Sequence, residues 1–204
     1  GLKFDVPMSI ISAGTGNDFL KVLPPRKTLE DQFKILVSGK TLRIDLGVCN
    51  GRKFLNGVGI GFDGQIVEEM LNTKVPLLKG HAKYYFHVLQ ILASYREKPF
   101  KFILNGENNQ EDLILMTVGN GSTFGGGFNL MPEANIQDGL LEICTIGAIP
   151  GWKRFLHIGK LSNGSHGSLS AVNFYRTKSV QIDSPIKLFA HIDGEPMGNP
   201  PYTM

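Results

Sequence analysis

The sequence predicts a mainly β protein with an α/β remnant over residues 1–39 and a β-rich sandwich or barrel with inserted helices over residues 40–204. Three observations lead there. The 204 residues include 25 Gly and 11 Pro with only 19% charged side chains, a balance that favours turns and short strands over helical bundles or disorder. Beyond Pro99, strand-like segments recur at roughly ten-residue spacing with Gly and Asn turns between them. At Lys40 the pattern shifts from helical periodicity to alternation.

Taken in order, "PMSIIS" (7–12) reads as a short buried strand that empties into Gly14-Thr15-Gly16-Asn17-Asp18. A helical turn, "NDFLKVL", follows with Asn17 or Asp18 as N-cap, and Pro24-Pro25 stops it. "TLEDQFKILVSG" makes a second helix, with Thr28 as N-cap, Asp31 three residues on and Gly39 closing it. "TLRIDLGVC" then alternates Leu42, Ile44 and Leu46 against Arg43 and Asp45, and Asn50-Gly51 predicts a two-residue hairpin. Helical periodicity returns at "FDGQIVEEMLN", at "HAKYYFHVLQILASYRE" and at "GWKRFLHIGKLS". The remaining strands are "FKFILNG", "DLILMTVGNG", "GLLEICTI", "SVQIDS" and "IKLFAHIDGE". Gly1 stands where an initiator Met would, and the chain stops at "PPYTM" as a strand starts, so a piece of a longer protein is expected.

Composition narrows the function. A formal charge of +3 from scattered Lys and Arg gives no support to nucleic-acid binding and leaves room for weak attraction to an anionic membrane surface. Cys49 and Cys144 sit far apart in apolar segments and read as reduced buried thiols. His81 and His87 have no neighbour at metal-ligand spacing and read as surface or core histidines. No run approaches the roughly 18 apolar residues of a membrane span.

Three stretches hold polar residues that folding alone does not require. Backbone amides of Gly14-Thr15-Gly16-Asn17-Asp18 at a helix start suit phosphate oxygens, though a plain strand-to-helix turn has the same appearance. Within "VGNGSTFGGGFNLMPEANIQDGLLEI", Gly125-Gly126-Gly127 allows close backbone approach. Asp138 there either fixes an Asp-Gly turn or joins the carbonyls of Asn135 and Leu140 as hard oxygen ligands for Mg²⁺. In "HIDGEP", Asp193 and Glu195 flank a glycine; they are either a hairpin turn or a carboxylate pair able to take a proton from a hydroxyl.

In order, "GTGNDF", "IDLGVCNGRKFLNGVGIGFDG", "GNGSTFGGGFNLMPEANIQDGLLEI" and "IDGEP" resemble the diacylglycerol kinase catalytic-domain family, which includes bacterial lipid kinases and the sphingosine and ceramide kinases. The resemblance implies a nucleotide-binding α/β domain followed by a β-sandwich domain, with ATP and lipid meeting between them. It also implies an upstream Gly-Gly-Asp-Gly-Thr loop that this sequence lacks, and a closing strand after "DGEP" that is expected to be missing as well; alone, the chain is expected to be a poor or inactive kinase.

Carried over residue by residue, the resemblance gives Gly14, Thr15, Gly16 and Asn17 a nucleotide contact and places Asp18 in a water network leading to a structural Mg²⁺. It makes Asp138 that metal's carboxylate ligand with the carbonyls of Asn135 and Leu140, and makes Glu195 the general base supported by Asp193. The implied reaction is attack of a lipid hydroxyl, diacylglycerol first, on the γ-phosphoryl group of Mg-ATP. The implied setting is cytoplasmic, peripheral to the inner face of the membrane, with Leu77 and Leu78 beside Lys74 and Lys79 as the lipid contact and room for a homodimer. Alternatives are a noncatalytic lipid- or nucleotide-binding module of the same fold and a relative acting on another acceptor, as nicotinamide nucleotide kinases do.

Overall fold

Short turns with obligatory backbone conformations organise the sandwich. The computed structural model describes residues 7–13, 16–23, 28–72 and 81–204. Strands β1 (Gly47–Cys49) and β2 (Arg52–Phe54) pair antiparallel across Asn50-Gly51, whose φ angles of 47° and 81° are those of a tight primed turn. The chain continues into β3 (Gly57–Gly61), helix α3 (Phe62–Asn72) and helix α4 (His81–Ser94). Before them lie α1 (Asp18–Val22) and α2 (Leu29–Ser38), the latter closed by the Thr28 and Asp31 capping box and by Gly39 at φ 66°.

Strands β4 (Lys98–Leu104), β5 (Glu107–Leu113), β6 (Leu115–Gly119) and β7 (Leu141–Ile146) follow. Helix α5 (Gly151–Asn163) leads through a short 3-10 helix, Ser165–Ser168, to β8 (Val172–Thr177) and β9 (Val180–Asp183). The chain ends with β10 (Ala190–Ile192), β11 (Glu195–Met197) and β12 (Tyr202–Thr203). A six-stranded sheet runs β11-β10-β3-β6-β7-β8 and a four-stranded sheet β12-β9-β4-β5.

The two sheets close on Val58, Ile60, Phe100, Phe102, Met116, Val118, Ile143 and Ile182, all buried. The other face of the six-stranded sheet is covered by α3, α4 and α5 through Phe62, Ile66, Val88, Leu92, Ile158 and Leu161, which pack with Leu115 and Ile146 of the sheet. Strands β3, β6 and β7 are therefore buried on both faces. This explains why "GLLEICTI" is apolar at almost every position.

Several expectations are corrected. Residues 7–12 form no strand and no sheet partner, and Met8 is 70% exposed; the segment is held by Ser12, whose N–H donates to the buried Gln32 of α2 at 2.9 Å. "TLRIDLGVC" is strand only at Gly47–Cys49, with Leu42 and Leu46 exposed, because among the described residues no strand pairs residues 41–46. Strand β5, "ENNQEDL", escapes a hydrophobic reading because it is a sheet edge, paired only with β4 through the Asn105-Gly106 turn. Strand β8, at the edge of the six-stranded sheet, escapes it likewise. Beyond Gly194, β11 pairs with β10, and β12 pairs with β9, so strands do follow "DGEP".

Both cysteines are buried and free, as the sequence indicates. Burial pushes the Cys49 thiol up to about 11 and the Cys144 thiol up to about 12. His87 is a core residue at the edge of Phe86.

Candidate functional site

A cleft of about 620 Å³ lies where the first helix, the start of β3, helix α3, the glycine loop and the β10–β11 turn converge. Asn17 adopts a left-handed conformation, φ 47°, ahead of α1, and turns Gly16, Asn17 and Asp18 into the cleft. Across from them Gly125, Gly126 and Gly127 take φ angles of 58°, 79° and 140°, a run that side-chain-bearing residues avoid. The resulting path aims the Gly126 N–H at Asp18, which accepts it on Oδ2 at 2.7 Å while Oδ1 pairs with Lys21 at 2.9 Å.

On the opposite side, Asp193 and Gly194 form the β10–β11 turn at φ 48° and 86°. The Asp193 carboxylate reaches back to accept the N–H groups of Leu55 at 2.8 Å, Asn56 at 3.0 Å and Gly57 at 2.9 Å. These three bonds hold the entry to β3. Glu195 stands on β11 with its side chain 76% exposed, paired with Arg52 at 2.8 Å, and does not line the cleft.

The cleft also contains two residues that sequence reasoning missed. His191 Nε2 lies 2.9 Å from Asp63 Oδ2, both side chains being less than a tenth exposed. A side chain on Gly59 would collide with both, so that glycine makes the pair possible. The Gly194 N–H donates to His191 Nδ1 at 3.2 Å, which puts the imidazole proton on Nε2, toward Asp63. Burial disfavours the imidazolium, but the carboxylates of Asp63 and Asp193 outweigh it and raise the His191 pKa above the ordinary histidine value. Asp63 opens a helix read only for its apolar period, and His191 opens "HIDGEP", a motif read only for its two carboxylates; neither carries a local signal of the pairing.

The loop read as a metal site is stitched to residues 43–45. Asp138 Oδ1 accepts the Leu140 N–H at 3.0 Å and Asn135 Oδ1 that of Gln137 at 3.0 Å. Asp45 Oδ2 accepts the Gly139 N–H at 2.8 Å, bringing a second carboxylate to the loop. Among the described residues no three His, Cys, Asp or Glu side chains gather as a metal cluster. The donors present, two carboxylates and backbone carbonyls, suit Mg²⁺ that keeps several waters and do not form an all-side-chain cage. Gly14, Thr15, Lys74, Leu77, Leu78 and Lys79 lie outside the described residues.

Beside the cleft is an apolar pocket between α3, α4, α5 and the sheet, lined by Phe62, Ile66, Val88, Leu92, Leu115 and Ile158 among others. Asp63, Phe124 and Gly125 line both spaces. The cleft, where Asn17, Asp18, Asp63 and Asp193 stand among apolar neighbours, meets an apolar pocket of about 80 Å³, and together they can take a ligand with a polar end and the start of a hydrocarbon chain.

Residues 1–49 match the diacylglycerol kinase catalytic domain, and residues 56–204 match the YegS C-terminal NAD kinase beta sandwich-like domain. A diacylglycerol kinase of Mycobacterium tuberculosis is 33% identical over 199 residues, covering 94% of this chain and 63% of that protein. The diacylglycerol kinase of Bacillus subtilis is 24% identical, covering 92% and 62%. A crystal structure of a diacylglycerol kinase from Bacillus anthracis superposes with a TM-score of 0.71 at 23% identity, over 99% of this chain and 64% of that one, and so shares the fold. The chain belongs to the diacylglycerol kinase and YegS-like lipid kinase family, and spans under two thirds of the length of these relatives.

Proposed function

We propose that this chain is the C-terminal part of a lipid kinase that transfers the γ-phosphoryl group of Mg-ATP to a lipid hydroxyl, with diacylglycerol as acceptor and phosphatidic acid as product. The observation that carries the reading is the junction, at Asp63, Phe124 and Gly125, of the cleft that holds Asn17, Asp18 and Asp193 with the apolar pocket. In this reading Gly14, Thr15, Gly16 and Asn17 contact the nucleotide, Asp18 orders the glycine loop beside it, and the apolar pocket takes hydrocarbon. Glu195 acts as general base once substrate draws it from Arg52. Asp138, with Asp45 and the carbonyls of Asn135 and Leu140, holds a structural Mg²⁺. The α/β portion ends at residue 39, a boundary supported by the Gly39 cap and by the bonds of Asp45 to the sandwich loop.

The proposed setting is the cytoplasmic membrane surface. Among the described residues no helix is long and apolar enough to cross a membrane. Helix α5 carries no acidic residue and exposes Trp152, Phe155 and Leu156 next to Lys153, a composition suited to anionic lipid. The exposed pairing of Glu195 with Arg52, outside the cleft lining, favours a second reading, a noncatalytic lipid- or nucleotide-binding module. A radiolabelled-ATP assay on diacylglycerol vesicles, run with the full-length natural protein and Glu195→Gln, decides between them. The kinase reading expects phosphatidic acid from wild type and at least a hundredfold less from the variant; a folded wild-type protein that phosphorylates no lipid hydroxyl supports the module.

A further inference from the structure

We infer that Asp63, oriented by His191, is the residue that receives the acceptor lipid's hydroxyl. The inference rests on the kinase reading and concerns the docked lipid before transfer: Asp63 accepts the hydroxyl's hydrogen bond as substrate binds, and Glu195 takes the proton only once it has left Arg52. A lipid with the start of its hydrocarbon in the apolar pocket and its hydroxyl in the cleft must cross the boundary between them, and among the described residues Asp63, Phe124 and Gly125 line both sides. Of these, Asp63 alone has a side chain that accepts a hydrogen bond.

The geometry around Asp63 fixes which atom does so. Oδ2 is occupied by His191 Nε2–H at 2.9 Å, and Oδ1 takes no hydrogen bond from any described residue. His191 is itself held, its Nδ1 accepting the Gly194 N–H at 3.2 Å, and Gly59 leaves the space in which imidazole and carboxylate meet. A buried carboxylate with one oxygen anchored and the other available is preorganised to accept a hydroxyl proton donor. The other carboxylates lining the cleft are committed elsewhere: Asp193 to three backbone N–H groups, Asp18 to Gly126 and Lys21. His191 is a positioning residue, since it reaches the hydroxyl only through Asp63.

Asp63→Asn in the full-length natural protein tests this directly. The amide oxygen satisfies His191 Nε2–H, which turns an NH₂ donor toward the hydroxyl in place of an acceptor. We expect kcat/KM for diacylglycerol to fall about 10- to 100-fold, the cost of one lost charge-assisted hydrogen bond, with the affinity for a fluorescent ATP analogue within about twofold of wild type. His191→Gln is expected to give a smaller loss in the same direction. A wild-type experiment does not depend on either variant folding: an acyl glycidyl ester places an epoxide where the hydroxyl sits. Carboxylate attack forms a carbon–oxygen ester bond, opens the ring, and the alkoxide takes a proton from water. Mass spectrometry should find the adduct on Asp63. Unchanged diacylglycerol kinetics in a folded Asp63→Asn protein, labelling confined to other carboxylates, or no labelling of an active enzyme overturns the inference alone. A wild-type protein that phosphorylates no lipid overturns the kinase reading and this inference with it.

Discussion

Removing the Asp193 carboxylate should unfasten the start of β3, and the structure allows the cost to be worked out. Three backbone N–H groups donate to this one side chain, from Leu55, Asn56 and Gly57, at 2.8, 3.0 and 2.9 Å. A hydrogen bond to a charged group contributes about 1.5–3 kcal/mol net. The Leu55 and Asn56 bonds are exposed, so water replaces the carboxylate there and little is lost. The Gly57 N–H is part-buried at the first residue of a central strand and keeps nearly the full penalty. Asp193→Ala should therefore destabilise by about 2–3 kcal/mol, or roughly 5–10 °C in melting temperature for a domain of this size. Glu195→Gln breaks only an exposed ion pair and should shift stability by less than about 1 kcal/mol. Thermal melts followed by circular dichroism on both variants measure the contrast. If Asp193→Ala melts within a degree of wild type while losing phosphoryl transfer, the carboxylate serves chemistry and the holding role assigned to it here is wrong.

Two further outcomes can be checked. Burial lowers the pKa of His166, whose ring lies against Leu130 O at 3.1 Å and Cys144 at 3.8 Å. The unfolded chain then binds a proton that the folded one refuses, so this histidine costs stability progressively as pH falls below the ordinary imidazole value of about 6.5. Urea titrations between about pH 7.5 and 5 should show a shallower decline for His166→Gln than for wild type; parallel curves would refute the assignment. For the membrane face, Trp152→Glu with Leu156→Glu should reduce sedimentation with anionic phosphatidylglycerol vesicles several-fold and leave melting nearly unchanged, since these side chains are 67% exposed; equal sedimentation would point to another surface.

What could be read from the chain alone was local or carried by motif. Helices α3, α4 and α5 follow from their apolar period, because one buried face per helix writes itself into consecutive residues. The Asn50-Gly51 and Asp193-Gly194 turns follow from the backbone freedom of their residues. The ordered motifs sufficed for the family. Tertiary structure decided the rest. Edge strand β5 has a polar sequence because a sheet edge buries little, so only its pairing with β4 reveals it. "PMSIIS" forms no strand for the opposite reason: apolar composition makes none where, among the described residues, no partner strand stands beside it. The cleft itself is built from contacts between distant residues, Asp18 to Gly126 and Asp63 to His191, lying 108 and 128 positions apart. No local pattern encodes such a meeting, since nothing in the residues around Asp63 specifies what will face it once the sheets have closed.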